Sequence, residues 1–442
     1  MPEISIHWFR RDLRLHDNAA LYHALRLGQP VLPVFIFDTD ILDDLKSGNG
    51  SDTDKRVEFI YREIKRLKDE LNQLGSDLLV YYGKPAETWK KLTASFEIKH
   101  VFANCDYEPY ATKRDTEVHS LLERSGIRFH SYKDQVIFEK NEIVKDDGKP
   151  YTVFTPYMKK WRSKLNDFCT RSYPTEKNSS GFLPIQKSTL IDLQEMGFAT
   201  TATIFPRSAV PNDLVIHYDE TRDTPSVKGT SRLGLHLRFG TISIRDLARQ
   251  AIRTHGEKFL DELIWREFYM MILWHFPQVV DHCFRKEYDR IQWRNNIQEF
   301  KLWCEGNTGY PIVDAGMREL NETGFMHNRV RMITASFLTK HLLIDWRWGE
   351  AYFAKKLLDY ELASNNGGWQ WAAGTGVDAA PYFRIFNPAL QTEKFDPKLE
   401  YVRKWVPEFN TPEYPRPVVE HESARKRCLE VYQAALKGHG QL

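Results

Sequence analysis

The chain has little that would mark it as secreted, metal-bound or membrane-spanning. Its five cysteines (Cys105, Cys169, Cys283, Cys304 and Cys428) are scattered and odd in number, with no C-x-x-C pair. That pattern excludes a disulfide framework and a cysteine zinc site; it fits free thiols in a reducing cytoplasm, with no metal expected. Neither a signal peptide nor an apolar run long enough to cross a bilayer is present. Charge of one sign is also lacking, since 62 Lys and Arg face 60 Asp and Glu for a net +2. Any contact with nucleic acid must therefore come from a local basic patch. No Gly-rich turn follows the first strand signal, where Arg10-Arg11-Asp12-Leu13-Arg14 stands, so a conventional dinucleotide fingerprint is absent.

What the chain does have is aromatic residues, unevenly placed. They make up 13% of it, and most of the 12 Trp fall after residue 260. A length of 442 residues predicts two domains. Up to residue 133, apolar runs at Ile4–Phe9, Val31–Phe37, Leu78–Tyr82, Val101–Asn104 and Arg128–Ser131 alternate with amphipathic helical patterns such as Arg56–Leu74. Continuous apolar strands separated by helices predict a doubly wound parallel sheet over 1–133. Residues 134–205 read as a connector, with Thr155–Phe168 helical. From 206 to 442 strand patterns vanish and helical ones dominate (Ile244–His255, Lys258–Phe276, Gly309–Asn321, His327–Leu343, Trp348–Asp359). The expected fold is therefore α/β followed by an all-α domain.

The most distinctive segment is Asn365-Asn366-Gly367-Gly368-Trp369-Gln370-Trp371, running on through Asp378 to Pro381–Pro388. Two Trp two positions apart cannot share one helix face, so one is expected to look inward and the other toward a cavity. Gly367 and Gly368 are expected to let the backbone approach something flat or adopt positive φ. Glu262, Trp265, Arg266 and Tyr269 fall on one helical face, which suits either a ligand wall or an interdomain salt-bridged surface. Asn328, Arg331 and Met332 share another face, in a segment that also reads as a basic helix start. Gly229-Thr230-Ser231-Arg232-Leu233-Gly234 reads as a helix cap or a phosphate site. Asp359-Tyr360-Glu361 could accept from ring N–H donors beside a cavity or mark a solvated helix end. Trp293, Trp346 and Trp369 are packing residues unless they form a chain in space.

Together these segments resemble the DNA photolyase/cryptochrome family, most closely its class I cyclobutane pyrimidine dimer photolyases. The match includes His7-Trp8-Phe9-Arg10-Arg11-Asp12-Leu13-Arg14-Leu15-His16-Asp17-Asn18, Gly229–Leu233, Glu262–Tyr269, Gly309–Asp314, His327–Phe337 and Asn365–Pro388, in family order. The resemblance implies a helical domain holding FAD, with light-driven repair of pyrimidine dimers in single- or double-stranded DNA by a monomeric, cytoplasmic enzyme. It places Tyr218, Thr230, Ser231, Arg232, Leu233 and Gly234 along the flavin phosphates and ribityl chain. Arg331, Asp359, Glu361 and Asn365 fall beside its ring. Glu262, Trp265, Asn328, Met332 and Trp371 form the lesion pocket. Trp369, Trp346 and Trp293 are the electron path outward, so that Trp369 faces flavin and Trp371 the lesion. Arg266, Arg329, Arg384 and Gln391 join Glu262, Trp265 and Asn328 as DNA contacts.

Departures from the family pattern are Glu361 for Asp, Gly234 for Ser and Phe325 for Trp, with Val280 and Asp281 where folate-binding relatives carry Cys and Lys. Asn104, Tyr107 and Glu108 still resemble the side that holds a second antenna chromophore of folate or deazaflavin type. The alternative is a cryptochrome photoreceptor without repair; the dimer-facing residues and an end at Lys437–Leu442 that leaves no signalling tail weigh against it. A (6-4) photolyase would carry His where Asn328 stands.

Overall fold

The computed structural model describes residues 3–46 and 52–437; residues 438–442, part of the end on which the expectation of no signalling tail rests, lie outside them. The chain divides into two compact units, and neither is continuous in sequence. The first comprises residues 1–142, 164–209 and 232–250; the second comprises 143–163, 210–231 and 251–442. The segments 1–133, 134–205 and 206–442 expected from the sequence are continuous, whereas each compact unit draws on separate stretches of chain.

In the first unit five parallel strands form one sheet in the order β3-β2-β1-β4-β5: β1 (Ile4–Phe9), β2 (Val31–Asp38), β3 (Leu79–Gly83), β4 (Ile98–Asn104) and β5 (Arg128–Tyr132). β1 and β2 are buried along their whole length, which is why Val31–Phe37 reads as an unbroken apolar run; β1 buries Ser5 and His7 as well. Helix Lys55–Gln73 is capped by Asp54, whose carboxylate accepts from the Arg56 and Val57 N–H groups, and it buries Val57, Ile64, Leu67 and Leu71.

The run from His7 to Asn18 has a structural task here. Arg14 pairs with Asp134 at 2.8 Å, and Arg245 pairs with Asp17 at 3.0 Å and with Asp134 at 2.8 Å, all of them buried. This network, which satisfies each charge with an opposite one, ties 232–250 into the first unit. Gly240, with φ of +63°, fits against Arg11, whose carbonyl oxygen would lie 2.1 Å from an added Cβ.

The second unit is helical. Its core gathers Trp303, Ile312, Val313, Met317, Phe337, Leu338, Trp346, Phe353 and Trp369. Helices Glu257–His275, Asn328–Ser336, Trp346–Lys356 and Leu362–Ala373 carry most of the residues discussed below. The expected helix His327–Leu343 is interrupted, since Phe337–His341 takes a π-helical turn. Among the described residues, no helix is long and apolar enough to cross a membrane.

Candidate functional site

Four helices of the second unit, with Arg222, line an open cavity of about 380 Å³. Helix Glu257–His275 contributes Glu262, Trp265, Arg266 and Tyr269, the face expected from their spacing. From helix Asn328–Ser336 come Asn328, Arg331 and Met332; from the turn and helix at 359–373 come Asp359, Glu361, Asn365, Gly368, Trp369 and Trp371. Residues scattered over more than a hundred positions thus share one enclosure.

The Asn365–Trp371 stretch is helical, and two expectations change as a result. Gly367 and Gly368 do not take positive φ; each serves by lacking a side chain. A Cβ on Gly367 would meet the Tyr269 ring at 2.2 Å, whereas one on Gly368 would find nothing within 4 Å. Gly368 therefore leaves room at the cavity wall. Trp369 and Trp371, expected to face apart, both reach this cavity. The large indoles span the angle that separates their Cα–Cβ bonds; Trp369 is 2% exposed and Trp371 half-buried.

Charges in the enclosure are paired. Arg331 donates from Nε to the Met326 carbonyl at 2.7 Å and from Nη2 to Asp359 Oδ2 at 2.9 Å. Arg266 lies 3.4 Å from the buried carboxylate of Glu361, and the Ser364 hydroxyl donates to Glu361 Oε2 at 3.3 Å. Glu262 forms an ion pair with Arg222, which also lines the cavity. Asn365 donates from Nδ2 to the carbonyl of Glu350 at 3.1 Å and to its Oε1 at 2.8 Å. Burial pushes the Glu350 carboxyl above the usual carboxylate range, with the Asn365 bond opposing it. Burial likewise raises Tyr269. Trp265 stacks on Phe154, with ring centroids 3.6 Å apart.

Other expected residues sit elsewhere. Trp346 is fully buried and Trp293 half-buried in the core cluster that also holds Trp369, but neither lines the cavity. Tyr218, Thr230 and Ser231 belong to the second unit away from the cavity wall, with the Tyr218 ring edge-on to Phe259. Arg232, Leu233 and Gly234 belong to the first unit. The helix there begins at Gly234, with Leu233 as its N-cap residue. Arg329 is bound to Asp223 at 2.7 Å and lies over Phe395. Arg384 is exposed, and Gln391 is half-buried on helix Pro388–Phe395.

In the first unit Asn104 donates to Asp12 and Asn18 and accepts from the Ala20 N–H. Tyr107 donates to Glu139, and Glu108 pairs with Arg238 and Arg11. Each of these antenna-side residues is thus engaged inside its own unit. Sequence reasoning missed Arg222, Phe154 and Glu350. Arg222 stands four residues after Tyr218, one helical turn on, which is a usable signal; Phe154 and Glu350 offered none.

A flat ring with imide-type donors and acceptors suits this enclosure. Trp369, Phe353 and Leu357 supply apolar walls, Asp359 and Glu361 acceptors, Arg331 and Asn365 donors, and Gly368 clearance. A flavin fits those groups.

The comparisons with known proteins agree. The sequence pattern of the FAD binding domain of DNA photolyase matches residues 259–413, and that of DNA photolyase matches 5–177. The chain is 38% identical to the deoxyribodipyrimidine photo-lyase of Escherichia coli, with 98% of each covered, and 36% identical to that of Halobacterium salinarum, with 98% and 99% covered. Among solved structures it is similar to a class III photolyase from Agrobacterium tumefaciens (TM-score 0.86, 34% identity, 99% and 98% covered). It is also similar to a cryptochrome from Synechocystis (TM-score 0.85, 25% identity, 98% and 99% covered). Fold and site together define a flavoprotein with a parallel-sheet unit and a helical FAD-binding unit. The chain belongs to the DNA photolyase family.

Proposed function

We propose that this protein is a light-driven enzyme that splits cyclobutane pyrimidine dimers in DNA. One observation carries the reading: residues suited to a flavin ring (Arg331, Asp359, Glu361, Asn365, Trp369) and residues suited to a flat lesion (Glu262, Trp265, Asn328, Met332, Trp371) line the same cavity. FAD, when bound and reduced, supplies under blue or near-UV light an electron that a dimer can accept and return, so the repair has no net redox change. Photolyases extrude their target base, and a damaged, poorly stacked lesion is the cheapest to extrude.

The protein's own groups then do the rest. Trp265 and Trp371 offer stacking surfaces, and Asn328 offers an amide to the dimer's polar edge. Glu262, held by Arg222, is a fixed acceptor for base N–H groups. Arg266, Arg329 and Arg384, with Gln391, are the candidates for the flanking phosphates. Arg331 with Asp359, and Arg266 with Glu361, keep charge balanced beside the ring without flooding the cavity with water. Trp369, Trp346 and Trp293 are proposed as an electron path inward from the surface, supported by their shared core cluster, in which Trp369 and Trp346 are buried and Trp293 is partly exposed. Tyr218, Thr230, Ser231, Arg232, Leu233 and Gly234 remain the assignments for the flavin tail. The unpaired thiols favour a cytoplasmic setting.

The test is direct. Reduced holoprotein, illuminated with a dimer-containing oligonucleotide, is expected to restore absorbance in the pyrimidine band. Recovery that is absent under light, or equal in the dark, would sink the repair reading. The second reading is a photoreceptor, favoured by the likeness to the Synechocystis cryptochrome; it predicts flavin photochemistry without that recovery.

A further inference from the structure

We propose that Phe154 is a positioning residue for the lesion pocket, holding the Trp265 indole at the angle at which a flat, flipped-out dimer meets it. The inference rests on the repair reading and deepens it. The Phe154 and Trp265 rings are stacked, 3.6 Å between centroids and 8° between planes. One indole face is thereby occupied by protein, so a ligand in the cavity meets the opposite face or the edge. Tyr269, tilted at 5.5 Å, and Phe268, edge-on at 5.7 Å, complete the setting of the indole. An indole left to turn on its helix would lose that freedom on binding; one already held does not.

Phe154 is itself held on several sides. It opens helix Phe154–Lys164, and its N–H donates to Asp378 Oδ2 at 3.2 Å. Asp378 has φ of +45°, a left-handed conformation uncommon for non-glycine residues but one that Asp adopts more readily than most. Further along the same helix, Tyr157 Oη and Trp161 Nε1 donate to Glu267 Oε1 at 3.2 and 2.6 Å, and Arg162 pairs with Asp261 at 2.9 Å. Glu267 and Asp261 both belong to helix Glu257–His275, which carries Trp265. Phe154, Tyr157, Trp161 and Glu267 do not line the cavity. The short helix is therefore fastened to the lesion-facing helix at repeated points, and its first residue backs the stacking indole.

The experiment measures, in the dark, binding of the holoprotein to dimer-containing and intact oligonucleotides of one sequence. Phe154→Leu keeps apolar volume but removes the stack, and is expected to lower the preference for the dimer about tenfold. Phe154→Tyr is expected to retain the preference, within about twofold. Asp378→Asn, which weakens the hold on the Phe154 N–H, should follow the Leu variant in direction. Flavin content and affinity for intact DNA should stay at wild-type levels throughout. Full dimer preference in the Leu variant would overturn the proposal, as would parallel loss of affinity for both oligonucleotides. A double-mutant cycle with Trp265→Ala should be non-additive; additive losses would also overturn it. Wild-type protein with no dimer preference would instead sink the repair reading, and this proposal with it.

Discussion

Gly349 and Trp369 are in contact across two helices: a Cβ on Gly349 would lie 2.1 Å from Cη2 of the indole and 2.6 Å from Cδ2 of Leu338. The space is closed by the fold on both sides. Gly349→Ala is therefore expected to destabilise the protein by about 1–3 kcal/mol through overpacking. It should also displace Trp369 and change flavin retention, read by denaturant unfolding and by cofactor absorbance after gel filtration.

Gly368 makes the opposite case. A Cβ added there would have no neighbour within 4 Å, and the residue sits mid-helix. Gly368→Ala should raise the stability of the flavin-free protein by about 0.5–1 kcal/mol from helix propensity. Gly368→Leu should leave that stability near wild type yet weaken FAD binding, because the added atoms enter the cavity. Titration of the flavin-free protein with FAD checks both.

Glu262→Ala removes the carboxylate that Arg222 holds at the cavity wall. Loss of a charged hydrogen-bond acceptor of this kind is expected to lower repair kcat/KM by about 10- to 100-fold. Flavin content should be unchanged. Loss of flavin in this variant would show that Glu262 serves the cofactor.

Trp369→Phe separates two electron routes. Photoreduction of the oxidised cofactor should fall to near zero with an external donor present, whereas protein reduced chemically beforehand should still repair. Equal photoreduction in wild type and variant would remove Trp369 from the path.

Lys340 gives a pH prediction. Burial pushes its ammonium down to about 8 from an ordinary 10.5. It lies 3.9 Å over the Tyr432 ring and donates to the Tyr382 carbonyl at 3.2 Å. Between those two values the unfolded chain binds more protons than the folded one, so stability rises with pH across that window. Below pH 8 the cost of the buried charge is fully present. Lys340→Met should thus stabilise the protein at neutral pH by about 1–3 kcal/mol and flatten the profile above pH 8, as read by denaturant titrations.

The central strands of the sheet were legible because burial on both faces leaves an apolar run, as in Val31–Phe37. The lesion-facing helix was legible because Glu262, Trp265, Arg266 and Tyr269 mix polar and aromatic types on one face, which a core would not do. Cα–Cβ directions separate the core-buried Trp369 from the half-buried Trp371, but they do not show that the Trp369 indole also reaches the cavity. The start of helix Gly234–Phe239 was not legible because it depends on backbone angles, including φ of +54° at Arg232. Phe154 was invisible for a different reason: it lies far from Trp265 in sequence, and only packing brings the two rings together.

The alternation of segments between the two units has a consequence for biosynthesis. A chain made from its N-terminus displays helix Phe154–Lys164, with Phe154, Tyr157 and Trp161 buried in the finished protein, well before its mount at Glu257–His275 has been translated. At ~5–20 residues per second that interval lasts several seconds, during which three aromatic rings lack the partners that helix Glu257–His275 supplies. A ribosome-bound nascent chain halted between the two helices should therefore be a client for chaperones that bind exposed aromatic residues, and release past His275 should end that dependence.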